Sequence, residues 1–328
     1  MAAAELVELW RGELQEGVHR GHAVIHDGSK VIEAWGDPAA IIYPRSSCKM
    51  VQALPMLESG AADAAGLGSE QLALACASHN GAALHVEKVG QWLHGIGLGE
   101  SDLRCGCHKP WDRAENRRLT CSDHAPSQLH NNCSGKHAGF LTWARHAKAG
   151  PEYVDIDHPL QQAIRQATAE VAGEEVAGVG IDGCSAPNFA GSITGLARSM
   201  AAFAQPDNSA RGRGMARLVD AMRAHPELVA GEGRACTELM RAMGGRVAVK
   251  TGAEAVYVAI IPEKKLGVAI KIEDGGTRAS EAGITALLVH LGVLDADHPI
   301  VGKLLHDPMK NWRGIEVGGL RLASGFPV

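Results

Sequence analysis

Apolar residues recur along this chain with two different periods, which separate strand-like ends from a helix-like middle. His22-Ala-Val-Ile-His26, the pair Asp27-Gly28 and Val31-Ile-Glu-Ala-Trp35 predict a β-hairpin: two β-prone runs around a strong turn signal. A helical stripe follows from Pro44-Arg45-Ser46, with Val51, Leu54 and Leu57 on one face and Gly60 as its stop. Pro55 inside that stretch predicts a kink or an early end. Further helices are predicted over Ser69–Ala77, Leu84–His94, Lys136–His146 and Pro159–Ala172, where Pro159 suits a first helical position. Helical spacing also appears around Ser192–Ala204, Arg213–Ala224 and Thr237–Met243. Residues 100–132 show no clear period and are expected to be irregular, as long functional loops often are.

Strand character returns in Arg246–Gly252, Ala255–Ile261 and Leu266–Ile272, with Pro262-Glu-Lys-Lys265 as a connecting turn. Asp274-Gly-Gly276 ends the last strand, and Thr277–Leu291 predicts a helix. No repeat or linker interrupts this order. The expected fold is therefore α+β: one domain over residues 1–328, whose early strands (about 1–45) and late strands (245–275) share an antiparallel sheet, with 46–244 mostly helical and irregular.

Composition narrows the function classes. At 328 residues the chain can bury a large core, as one domain or two closely joined lobes. Aromatic residues make up only 4%, the net charge of −5 is mild, and Lys and Arg are scattered, which argues against nucleic-acid and membrane surfaces. The first residues carry Glu5 and Glu8 where a signal peptide would have a basic start and an apolar run, and no run of about 18 apolar residues exists. A cytoplasmic protein is expected. Its eight cysteines are then thiols, either packing in the core or serving a metal or a reaction.

Four short patterns carry candidate chemistry. Ser46-Ser-Cys-Lys49 puts a hydroxyl and an amine at i and i+3, on one face of a helix start, where a lysine could take the serine proton. The capping reading, Ser as N-cap and Lys in solvent, competes with it. Ser78-His-Asn80 occupies a predicted loop, and Lys250-Thr-Gly252 a predicted strand. Each pattern is weak alone, but the three in this order are those of serine β-lactamases and penicillin-binding proteins. The fourth pattern is Asn132-Cys133-Ser-Gly-Lys136-His137, followed by Asp182-Gly-Cys184. Two thiols, a His and a carboxylate could hold zinc; two buried thiols at a glycine-rich helix start explain them as well. Cys105-Gly-Cys107-His108 and Cys121-Ser-Asp-His124 are spaced too closely for a zinc ribbon and read as loop.

These segments, with Arg45 before Ser46, Gly81 after Asn80, Ala253-Glu254 after Gly252, Lys271-Ile-Glu-Asp-Gly275 and Asn311-Trp-Arg-Gly314, resemble the rhizobial type of L-asparaginase (class 3, Rhizobium etli inducible type) along nearly the whole chain. The resemblance implies a β-lactamase-like fold, a homodimer, and hydrolysis of L-asparagine to aspartate and ammonia. It implies two catalytic Ser–Lys pairs, Ser46 with Lys49 and Ser78 with Lys250, and a zinc ion on Cys133, Lys136 and Cys184. Arg45, His137, Asp182 and Asn80 would bind substrate or line the pocket. A lysine ligand must be neutral, so Lys136 would need a depressed pKa.

On that basis Ser46 is expected to attack the side-chain amide with Lys49 as base, while Ser78 and Lys250 relay protons or activate water. Backbone N–H groups near Ser46 and Ser78 would stabilise the oxyanion, Arg45 would hold the α-carboxylate and Asp182 the α-ammonium. Three alternatives stand beside this: a β-lactamase or DD-peptidase, a glutaminase, and a catalytically silent amino-acid or zinc sensor.

Overall fold

The computed structural model describes residues 2–327. The chain opens with strands β1 (Ala4–Arg11), β2 (Leu14–His26), β3 (Val31–Trp35) and the two-residue β4 (Ile41–Ile42). Seven helices follow: α1 (Lys49–Glu58), α2 (Ala61–Ala64), α3 (Ser69–Ala75), α4 (Ala83–Gly95), α5 (Arg113–Cys121), α6 (Ser134–His146) and α7 (Pro159–Ala172). Strands β5 (Gly178–Ile181) and β6 (Pro187–Ser192) lead to α8 (Ile193–Ala204), α9 (Ala210–Ala224), α10 (Pro226–Val229) and α11 (Ala235–Ala242). The last part holds β7 (Ala248–Gly252), β8 (Val256–Ile261), β9 (Leu266–Ile272), α12 (Thr277–His290), α13 (Pro299–Val301), β10 (Met309–Lys310) and β11 (Glu316–Leu322). The fold is α+β. The chain forms two compact units, one of Met1–Ser47, Gly191–Gln205 and Glu238–Val328, the other of Cys48–Ala190 and Pro206–Thr237.

In the first unit, early and late strands share one antiparallel sheet in the order β10-β11-β1-β2-β9-β8-β7, with β3 also paired to β2. The hairpin expected around Asp27-Gly28 forms: Ala23 pairs with Trp35 and His26 with Val31, and the Asp27 carboxylate accepts the N–H groups of Ser29 and Lys30. Strand β8 is buried along its whole length, and β9 nearly so, because helices cover both faces. A Cβ on Gly267 would meet the backbone of Ala197 and Ala201 in α8, whereas the Ile270 side chain reaches Gly283 of α12. Positions 267 and 270 point to opposite faces of β9, so α8 and α12 lie on opposite sides of the sheet. The sheet also takes in β1 and β11, which the sequence pattern did not reveal: β1 is interrupted by register shifts, and β11 carries Gly318-Gly319.

The second unit is built around α1, buried from Lys49 to Leu57 and packed by α6, α7 and α9. Pro55 sits inside α1 without ending it; the helix runs to Glu58 and stops before Gly60, whose φ is +77°. Glycines let the neighbouring helices come close. A Cβ at Gly135 of α6 would meet the Leu74 carbonyl of α3 at 2.4 Å, and one at Gly214 of α9 would meet Leu57 of α1 at 3.1 Å. The region expected to be irregular contains α5, capped by Asp112, whose carboxylate accepts the Glu115 N–H at 2.8 Å. Three arginines and other polar residues leave α5 only two buried positions, Glu115 and Leu119, so no apolar period marked it. Among the described residues no helix is long and apolar enough to cross a membrane.

Candidate active site and metal centre

Arg45, Ser46 and Lys250 belong to the first unit; Lys49, Ser78, Asn80, Cys133, Lys136, His137, Asp182 and Cys184 belong to the second. Ser46 does not begin the α-helix. It lies half-buried in a 3₁₀ turn, Arg45–Cys48, directly ahead of Lys49. Arg45 adopts φ +53°, a left-handed conformation that costs a bulky residue about 1–3 kcal/mol and recurs where function sets the backbone. The end of β7 presses on this turn: a Cβ at Gly252 would stand 2.7 Å from the Pro44 carbonyl and 3.0 Å from the Ser47 nitrogen. Lys250 is fully buried in β7, and its Nζ donates to the Thr251 carbonyl at 2.7 Å.

In the second unit five of the predicted residues, Lys49, Ser78, Cys133, Lys136 and Cys184, form one buried network. The Lys49 Nζ, 1% exposed as a residue, donates to Ser78 Oγ at 3.0 Å, to Cys133 Sγ at 3.0 Å and to the Ala77 carbonyl. Three polar partners thereby satisfy the buried amine, which makes its burial tolerable. Cys133 is hydrogen-bonded to Cys184, and Lys136 Nζ lies 3.1 Å from Cys184 Sγ and over the Phe140 ring. Two helix starts supply these groups. Lys49 opens α1, and Cys133 and Lys136 open α6, whose Gly135 and Gly139 bring it against α3 just before Ser78. Cys184 comes from the tight β5–β6 turn, where Ser185 has φ +69°.

The hydrogen bond from Cys133, with help from the Lys136 and Lys49 charges, holds Cys184 well below the ordinary thiol range despite burial. Cys133, donating that bond and buried, is pushed up to about 12. Burial disfavours the Lys136 ammonium, but Cys184, Cys133 and Asp182 outweigh it and raise its pKa. That direction is opposite to the depression a zinc-bound lysine requires, so a metal would have to displace protons from Lys136 and Cys133 itself. The donor set otherwise suits zinc. Tetrahedral bonds of about 2.05 Å to nitrogen and 2.3 Å to sulfur imply a nitrogen–sulfur separation of about 3.5 Å, close to the 3.1 Å found here. Among the described residues no three His, Cys, Asp or Glu side chains gather as a metal site, so the set depends on the lysine.

His137 turns elsewhere. Its Nδ1 lies 2.9 Å from the Tyr153 hydroxyl, which also accepts the Arg104 N–H at 2.7 Å. Burial, reinforced by the Lys136 charge, keeps the imidazole neutral, and its Nε2 has no hydrogen-bond partner among the described residues. Asp182 accepts Asn188 Nδ2 at 2.9 Å. Ser78 N–H donates to the Val229 carbonyl at 2.8 Å and Ser47 N–H to the Pro44 carbonyl at 3.2 Å. The Asn80 carboxamide nitrogen, by contrast, has no acceptor among the described residues, while its oxygen accepts the Ala82 N–H at 3.4 Å. Tyr153 escaped the sequence reading because it belongs to no motif, and Ala77 contributes only a backbone carbonyl, which residue type does not reveal. Cys105 is a buried thiol pushed up to about 12, first by burial and then by Cys133 and Cys184, whereas Cys107 is exposed.

No curated protein matches the chain. Among solved structures it is similar to a β-lactamase from Mycobacterium bovis (13% identity, covering 84% of this chain and 95% of that one, TM-score 0.46). Two others are a structure described as Mglu in its native form (11%, 85% and 66%, TM-score 0.47) and a putative β-lactamase from Bacteroides dorei (12%, 77% and 84%, TM-score 0.42). The model of the family described as L-asparaginase II matches residues 7–322, all but the two ends. On that match, this chain belongs to the L-asparaginase II family.

Proposed function

We propose that the chain is an L-asparaginase of the rhizobial type, hydrolysing L-asparagine to L-aspartate and ammonia through serine and lysine side chains. The observation that carries this reading is the buried Lys49 amine joined at once to Ser78 Oγ and Cys133 Sγ, each at 3.0 Å. It couples a serine hydroxyl to the thiol pair. Ser46 Oγ attacks the side-chain amide carbon and its proton passes to Lys49 in its neutral form. The amide nitrogen takes up a proton and leaves as ammonia. Water then cleaves the acyl-enzyme ester, releasing aspartate and restoring the Ser46 hydroxyl, with Ser78 and Lys250 as the groups that move protons in this half. The open Asn80 nitrogen donates to the substrate, Arg45 binds its α-carboxylate and Asp182 its α-ammonium.

Cys133, Cys184 and Lys136 would hold zinc, which when bound supplies a Lewis acid that polarises a carbonyl or orients the substrate. A second nucleophile is favoured by one observation: Ser78, not Ser46, is the serine recorded 3.0 Å from Lys49. Comparing Ser46→Ala with Ser78→Ala, and finding by mass spectrometry which serine carries trapped acyl, separates the two. The reading also expects a homodimer, which light scattering tests.

The decisive assay is ammonia release from asparagine, glutamine and simple amides, with and without chelator, beside nitrocefin opening. Asparagine is expected to be preferred, although one methylene separates it from glutamine by only about 1–3 kcal/mol. Ring opening of nitrocefin without ammonia from asparagine would move the chain to the β-lactamase reading, and silence on every amide to the sensor.

A further inference from the structure

The second unit carries an arginine that the reaction described above does not use. Arg234 is half-buried, and its guanidinium lies 5.1 Å from the centre of the Trp111 ring. No carboxylate or other acceptor reaches that guanidinium among the described residues; its only recorded side-chain partner is the ring. Trp111 is 56% exposed and stacks with His108 at 5.7 Å. Exposed arginines on a protein with more acidic than basic residues readily find a carboxylate. This one is instead parked on an indole, with its donors open.

Its position is set from the Ser78–Asn80 segment on two sides. On one side, Arg234 N–H donates to the Gly231 carbonyl, and Gly231 adopts φ +107° with the Asn80 carboxamide directly against it: a Cβ there would stand 2.4 Å from Asn80 Oδ1. On the other, the Asp112 N–H donates to the Asn80 carbonyl at 2.9 Å, and Pro110 packs on Gly81, so Trp111 is pinned beside the same segment. His108 Nε2 accepts the N–H of Asn132, the neighbour of Cys133, at 2.8 Å. The Arg234–Trp111 pair is thus held by backbone bonds that start at the residues flanking Ser78 and Cys133. The Asn80 carboxamide thus lies against Gly231, the first residue of the turn that ends at Arg234.

We propose that Arg234, oriented by Trp111, is a specificity-determining residue: a carboxylate contact for the amino-acid substrate. A guanidinium offers a planar fork that a carboxylate matches with two hydrogen bonds, and an aromatic face keeps that fork oriented without consuming its donors. This inference rests on the asparaginase reading for the identity of the substrate, but not for the existence of the contact.

The test uses the full-length protein and the variants Arg234→Met, Arg234→Lys and Trp111→Leu. Kinetics on L-asparagine are compared with those on its α-amide, which lacks the carboxylate charge, and L-aspartate binding is measured by calorimetry. Arg234→Met is expected to raise KM for asparagine roughly tenfold or more, with kcat within about twofold, and to leave KM for the α-amide unchanged. Arg234→Lys should recover part of the loss, and Trp111→Leu should show a weaker form of it. Equal effects on both substrates, or no effect on either, would overturn the proposal. If the unaltered protein releases no ammonia from asparagine, the asparaginase reading fails; aspartate binding weakened by Arg234→Met would then still uphold the contact, and binding unchanged by it would remove it.

Discussion

The amine of Lys49 lies 3.0 Å from the hydroxyl of Ser78 and 3.0 Å from the thiol of Cys133, so one buried side chain connects a serine to the two cysteines. Replacing it with an apolar side chain of similar length removes both the proton acceptor and the link. Lys49→Met is expected to lower kcat by roughly 10²–10⁴-fold. Ser78→Ala on top of it should add little further loss, because the two act as one unit. Full additivity in that double-mutant cycle would show that they act separately.

The thiol pair makes a second prediction. Purified protein should contain zinc by elemental analysis, and Cys133→Ala, Cys184→Ala and Lys136→Met should each lose it. Chelation should lower thermal stability in the parent protein and leave the Cys184→Ala variant unaffected, since a ligand that binds only the native state stabilises it. Parent protein that is metal-free when purified, and gains no stability from added zinc, would rule the site out.

Gly252 supports the turn that carries Ser46, and its missing side chain is what lets the strand come so near. Gly252→Ala would put a Cβ 2.7 Å from the Pro44 carbonyl and push the turn aside. A loss of about 1–3 kcal/mol in stability is expected from overpacking. Activity should fall further, by up to roughly 10²-fold, because small displacements of a nucleophile are costly. A variant with lowered melting temperature but unchanged kcat would mean that Ser46 does not attack.

Glu115 governs acid behaviour around the α5 segment. The hydrogen bond from Arg118, joined by one from His130, holds its carboxyl below the usual 4.5 against the effect of burial. A depressed folded-state value contributes stability above the unfolded one and loses it as pH falls through the folded value. Glu115→Gln should therefore cost about 1–2 kcal/mol at neutral pH, the low end applying because Arg118 is exposed. The difference should shrink below pH 4.5, as denaturant titrations at several pH values would show.

Much of this was legible in the linear pattern. The Asp27-Gly28 hairpin, α6, α7, α8, α12 and the run of strands from β7 to β9 announce themselves by period and by turn or cap residues. Helix α5 and strands β1 and β11 did not, since α5 has only two buried positions and the strands lean on neighbours distant in sequence. Motif spacing likewise singled out Lys49, Ser78, Cys133 and Cys184, the family resemblance added Lys136, and the structure gathers those five into one buried network.

What the sequence by itself determined is the set of chemical groups and the secondary structure around them, because both follow from local spacing. Tertiary structure decided the partnerships. Only folding brings residues 49, 78, 133 and 184 together, and it commits the Ser78 N–H to Val229, turns His137 towards Tyr153 and leaves the Asn80 nitrogen open. It also sets the surroundings of Lys136: burial alone would lower an amine pKa, but the neighbouring thiols and Asp182 raise it. Charge balance within a buried cluster depends on distances in three dimensions, which no spacing along the chain encodes.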